Sequence, residues 1–185
     1  MLYDRPYMRY QEHRREIPAL KWILLTNIAV FLLSEILFRW FGSAFPIQYF
    51  SLSWENIRSG FLWSIATYGL LHANFAHIFF NMLVIYFVGR TLETRLGGDK
   101  LLELYIVTTL LGAFAWLACN LTSNGLVVGA SAAASGLVAV FCLRHCYARL
   151  TLLLFFIMPI RATGRQILFF LLFWEGIGLL FFELG

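Results

Sequence analysis

The chain has 185 residues, 61% of them hydrophobic and only 13% charged, with a mean hydropathy of +0.76. That composition excludes an ordinary soluble globular domain and points to an integral membrane protein. The formal charge of +4 is modest and calls for no nucleic-acid partner, and three cysteines without paired spacing speak against a disulfide framework.

The first 21 residues, "MLYDRPYMRYQEHRREIPALK", are polar and basic, with no short apolar core before a small-residue cleavage site. No cleavable signal peptide is expected, so the first span acts as its own insertion signal. A helix needs about 20 mostly apolar residues to cross the hydrocarbon core. Five runs meet that demand, from Ala19 to Trp40, Ile65 to Val88, Leu101 to Leu121, Leu126 to Leu143 and Gln166 to Phe182. The expected fold is thus an all-α polytopic bundle, with residues 1–18 as a basic segment and 19–185 as one transmembrane domain. The further run "LTLLLFFIMPI", 150–160, is too short to span and ends at a proline, so it reads as interfacial.

Lysine and arginine accumulate in cytoplasmic connections. The N-terminal segment carries Arg5, Arg9, Arg14, Arg15 and Lys21; the second-to-third connection Arg90, Arg95 and Lys100; the fourth-to-fifth Arg144, Arg149, Arg161 and Arg165. Only Arg39 and Arg58 fall on the other side. This predicts a cytoplasmic N-terminus and an outer loop, 42–64, whose aromatics suit the bilayer interface. The expected location is the plasma (inner) membrane of a prokaryote.

Within the second run, "HANFAHIFFN" (72–81) places His72, His77 and Asn81 among Phe, Ile and Leu. Polar groups there need partners or a task. His77 and Asn81, four apart, share nearly one helix face, whereas His72 joins them only if the chain around it is not regular helix. They are either glue between helices or donors that stabilise an oxyanion. In the fourth run, "VVGASAAASGL" (127–137) sets Ser131 and Ser135 four apart among small residues. The pairs Gly129 with Ala133 and Ala132 with Gly136 also make a small-xxx-small packing pattern. By the topology, Ser131 lies at a depth comparable with His77 and Asn81. "CLRHC" (142–146) puts two cysteines and a histidine on one apolar helix, which reads as buried structure; no metal or other cofactor is expected.

From Trp63 to the fifth span the chain resembles the rhomboid intramembrane serine proteases. The pattern of a Trp, a Thr, then His, four residues, His, three residues, Asn is met by "WSIATYGLLHANFAHIFFN"; "GRTLETRLGG" and "GASAAASGL" match the Gly/Glu and serine motifs. The resemblance implies that Ser131 is the nucleophile, that His77 and Asn81 stabilise the oxyanion, and that His72 supports that end of the site. It also implies substrates that are transmembrane segments of other membrane proteins, cut near the outer face. Gly136 and Leu137 stand five and six residues after Ser131, as the motif requires, which leaves Ser135 to packing.

Ala132 replaces the usual Gly, and Ser64 follows Trp63 where many members have Arg. The family's base histidine lies on a sixth core span. This chain has five spans, and its histidines are only His13, His72, His77 and His145. A non-catalytic rhomboid-like protein, or a truncated form, that binds membrane clients is therefore the alternative reading.

Overall fold

The computed structural model describes residues 18–121, 124–154 and 158–178, most of them helical. Helix α1 (Ala19–Phe41) ends where Gly42 turns left-handed at φ +61°. The Gly42 and Ser43 N–H groups return to the carbonyls of Phe38 and Leu37 at 3.0 and 3.1 Å, which satisfies the last turn. Its buried positions, Leu20, Ile23, Asn27 and Phe31, recur every three or four residues. Trp22, Leu25, Leu32 and Leu33 on other faces are exposed, as side chains in lipid contact are.

The connection after α1 folds as two short helices, α2 (Phe45–Phe50) and α3 (Trp54–Arg58). Asn56 joins them, its Nδ2 donating to the carbonyls of Gln48 and Ser51 at 3.1 and 2.8 Å. A chain of rings, Phe45–Tyr49–Phe61–Trp63, runs along the same stretch.

The second span is not the continuous helix from Ile65 to Val88 that hydropathy suggests. A short helix α4 (Ser64–Thr67) and a 3-10 turn (Tyr68–Leu70) come first, then the chain is extended at Leu71 and restarts as α5 (Phe75–Leu96). Asn74 makes that restart, since its Oδ1 accepts the His77 N–H at 2.9 Å as an N-cap. Helix α6 (Gly98–Cys119) follows after Gly97 at φ +85°. Helix α7 spans Ser131–Arg144, so the expected start at Leu126 is five residues early. Residues 126–130 are not helical because Val127 instead pairs antiparallel with Leu52, the two exchanging N–H···O bonds of 3.0 and 2.8 Å.

In place of one interfacial run, β1 (Arg149–Leu154) and β2 (Met158–Thr163) form an antiparallel hairpin that pairs Arg149 with Thr163 and Leu154 with Met158. Helix α8 (Gly164–Gly178) ends the described chain; the Glu175 side chain and residues 179–182 of the expected fifth span lie outside the described residues.

Among the described residues, α1, α5 and α6 are long and apolar enough to cross a membrane. Helix α7 packs against α5, α6 and α8. The core joins Ile78, Met82, Ile85 and Leu92 of α5 to Leu101 and Tyr105 of α6 and to Ala133, Ala134 and Leu137 of α7. Asn27, fully buried on α1, donates to Tyr105 Oη at 3.0 Å and to the Ile23 carbonyl at 2.8 Å, so its polarity is satisfied. At the basic end, Glu93 Oε1 accepts the Leu20 N–H at 3.0 Å and closes the first turn of α1.

Candidate active site

At the opposite end of the bundle the start of α7 meets the start of α5. Ser131 opens α7, exposed, with Ala130 before it as the N-cap; the Ala130 carbonyl accepts the first helical bond, from the Ala134 N–H at 2.9 Å. The N–H groups of a helix's first turn have no partner inside the helix and point outward from its positive end.

Gly129 fixes how the loop reaches that helix. Its φ is +124°, a conformation L side chains rarely adopt, and its N–H donates to the Tyr68 carbonyl at 2.9 Å. A Cβ at Gly129 would stand 2.6 Å from both Cε1 and Nε2 of His77 and 3.7 Å from Asn81 Nδ2. The imidazole and the amide therefore lie directly against the backbone two residues before Ser131. Gly129 precedes the helix, so its expected packing pair with Ala133 does not form. The other pair does face a neighbour, with Ala132 against Gly112 and Gly136 against Thr108 of α6.

Asn81 is buried, and its Nδ2 has no hydrogen-bond partner among the described residues. A buried donor left unmade costs about 1–3 kcal/mol, so the fold holds it there at the expense of stability. His72 lies in the non-helical link 71–74, which brings it within reach: its ring is 5.1 Å, centroid to centroid, from that of His77, edge to face. Its Nε2 faces the Ala130 N–H at 3.5 Å and its Nδ1 faces the Leu70 carbonyl at 3.3 Å. Only the neutral ring with hydrogen on Nδ1 serves both contacts.

His77, Asn81 and His72 thus converge on the backbone at Gly129 and Ala130, immediately before Ser131. His145 is elsewhere, at the far end of α7 with Nδ1 2.8 Å from the Phe141 carbonyl, and His13 lies outside the described residues. Two supports were not visible in the sequence. Tyr68 is one: its carbonyl takes the Gly129 N–H while its hydroxyl donates to the Thr109 carbonyl at 2.8 Å. The other is the Leu52–Val127 bridge, which fixes the loop from the far side.

A helical bundle with three helices long and apolar enough to cross a membrane among the described residues is that of a multi-pass integral membrane protein. The chain belongs to the rhomboid family: the Rhomboid domain model matches residues 59–183. Among its relatives are a "RHOMBOID-like protein 12, mitochondrial" of Arabidopsis thaliana, 30% identical over 51% of this chain and 27% of its own length, and a "Rhomboid-like protease 1" of Toxoplasma gondii, 37% identical over 45% and 28%. A "Rhomboid protease GlpG" of Photorhabdus laumondii is 36% identical over 51% of this chain and 32% of its own length. The matched part spans about a third or less of each of these relatives.

Proposed function

We propose that this chain carries the nucleophile and oxyanion side of an intramembrane serine endopeptidase, acting on transmembrane segments of other membrane proteins. The observation that carries the reading is Asn81 Nδ2, a buried donor without a partner among the described residues, beside Gly129 and His77 where α7 begins at Ser131. In this reading Ser131 Oγ attacks the scissile carbonyl, and the oxygen that becomes negative takes hydrogen bonds from Asn81 Nδ2, the His77 ring and the free N–H groups of the first turn of α7. His72 holds the Ala130 N–H and so positions the loop. Substrate helices must unwind locally to offer a carbonyl, because a helical peptide group is already hydrogen-bonded.

Depth supports the same reading. The 14 residues of α7 rise about 21 Å, short of a hydrocarbon core of about 30 Å. With Arg144 at one headgroup layer, Ser131 lies about 9 Å below the other. In this topology α7 and α8 complete five spans with α1, α5 and α6; residues 1–18 are a basic cytoplasmic segment, and Ser131 faces the outer side of a prokaryotic plasma membrane.

A serine hydroxyl needs a base to take its proton. Among the described residues this reading gives His77 to the oxyanion and His72 to the loop, and His145 lies at the far end of α7, so it leaves the base to another histidine. That same gap favours the second reading, a non-catalytic protein that binds membrane clients. Imidazole in solution separates them by standing in for the missing base. The endopeptidase reading expects fluorophosphonate labelling that rises with imidazole, vanishes in Ser131→Ala and slows about 10²-fold in Asn81→Ala. No labelling at any imidazole concentration, with the fold intact, would assign the chain to client binding.

A further inference from the structure

A second polar pocket, of about 370 Å³, opens on the Ser131 end of the molecule but away from the residues of the candidate active site. Its walls are α3 and the loop across from it: Ser53, Trp54, Glu55 and Arg58 on one side, Asn124 and Gly125 on the other. The volume falls within the range of about 300–1,000 Å³ typical of ligand pockets.

The chemistry of its walls is specific. Arg58 is one of only two cations in the stretches that form this end, and the other, Arg39, is already paired with Glu35 at 2.8 Å. The Arg58 guanidinium instead lies 5.7 Å above the Trp54 ring, exposed and without an ion pair among the described residues. Glu55, three residues earlier, is likewise exposed and has no ion pair among the described residues. The Trp54 Nε1–H is buried and finds no acceptor among the described residues. The ligand that uses all three must carry an anionic, acceptor-rich group and a cation a short distance apart. A free anion is disfavoured by Glu55, and a simple amine by Arg58.

The surroundings say where such a ligand comes from. The ring chain of Phe45, Tyr49, Phe61 and Trp63 on the same loop is of the kind that sits at headgroup level. Helix α2, which Asn56 clamps to α3, also walls an apolar cavity of about 290 Å³ against Leu33 and Leu37 of α1. One loop thus offers a charged recess and an apolar one.

We propose that the α3 pocket binds the headgroup of a zwitterionic aminophospholipid. Arg58 takes the phosphate, Glu55 takes the primary ammonium, and a slight turn of the Trp54 ring gives its N–H a phosphate oxygen. The same chemistry occurs in a soluble phosphate ester of ethanolamine, and the test must distinguish the two.

The purified chain in detergent is loaded with phosphatidylethanolamine, phosphatidylglycerol or phosphatidylcholine at equal mole fraction, and retained lipid is read by native mass spectrometry. Phosphatidylethanolamine is expected to be retained in preference to the other two. Losing one charge-assisted contact in Arg58→Gln or Glu55→Gln should lower its occupancy about tenfold. Phosphatidylglycerol retention should fall in Arg58→Gln but not in Glu55→Gln, and Arg58→Lys should restore most of the phosphatidylethanolamine signal. Trp54→Phe, which keeps the ring and removes only the N–H, should weaken retention by a smaller factor. Equal retention of the three lipids, or retention unchanged in both charge variants, overturns the proposal. Displacement of the lipid by O-phosphoethanolamine at comparable concentration overturns the lipid as its source. Ser131→Ala should leave every one of these values unchanged, so the outcome is independent of the protease reading.

Discussion

Gly129 concentrates more of the site than any residue with a reactive side chain. Its positive φ and the closeness of the His77 ring leave no room for a methyl group. Gly129→Ala should therefore abolish imidazole-dependent labelling of Ser131 while the helices remain folded, as far-ultraviolet circular dichroism would show. In the sequence this glycine reads equally well as a packing residue, because nothing in a run of small residues announces a backbone torsion. His77 and Asn81 were legible as candidates for the opposite reason: a polar group in an apolar run is conspicuous, and a spacing of four assigns the two one face, whereas only the resemblance to the rhomboid serine motif told Ser131 from Ser135.

Between elements, the decisive contact is α6 against α7. The Ala132 methyl is received by Gly112 of α6; a Cβ at Gly112 would overlap that of Ala132 and approach Tyr68 Oη at 3.0 Å. Gly112→Ala should cost about 1–3 kcal/mol by overpacking. The compensating pair Gly112→Ala with Ala132→Gly should recover most of the loss, and additive losses in the double-mutant cycle would show that the two do not touch. Such an exchange is invisible in one chain read alone, since each residue is merely small. The break at 71–74 was hidden likewise. Hydropathy sums over a window, and Asn74 as a cap contributes one polar residue to a run that stays apolar on both sides. The hairpin at 149–163 was read as a single interfacial run because its strands are too short for a period to separate them from a helix segment.

At the scale of the whole molecule, the uneven distribution of charge and the unequal helix lengths combine into one topological expectation. Twelve of the 14 lysines and arginines lie at or beyond the ends of spans that meet at the basic end, where Glu93 closes the start of α1, and two lie in the stretches that lead to the Ser131 end. The positive-inside rule then sets Lys100 in the cytoplasm and Ser59 outside, while the short α7 draws Ser131 below the surface on the side of Ser59. The three native cysteines would be replaced by serine or alanine and single cysteines introduced by Ser59→Cys, Lys100→Cys or Ser131→Cys. With a membrane-impermeant maleimide on intact cells, Ser59→Cys should label fast and Lys100→Cys only after the membrane is opened. Ser131→Cys should label from the same side as Ser59→Cys but more slowly, because by the length of α7 it lies about 9 Å below the surface. Fast labelling of Lys100→Cys on intact cells would invert the orientation. Equal rates at positions 59 and 131 would instead place the start of α7 at the surface, and with it remove the depth on which a water-limited site depends.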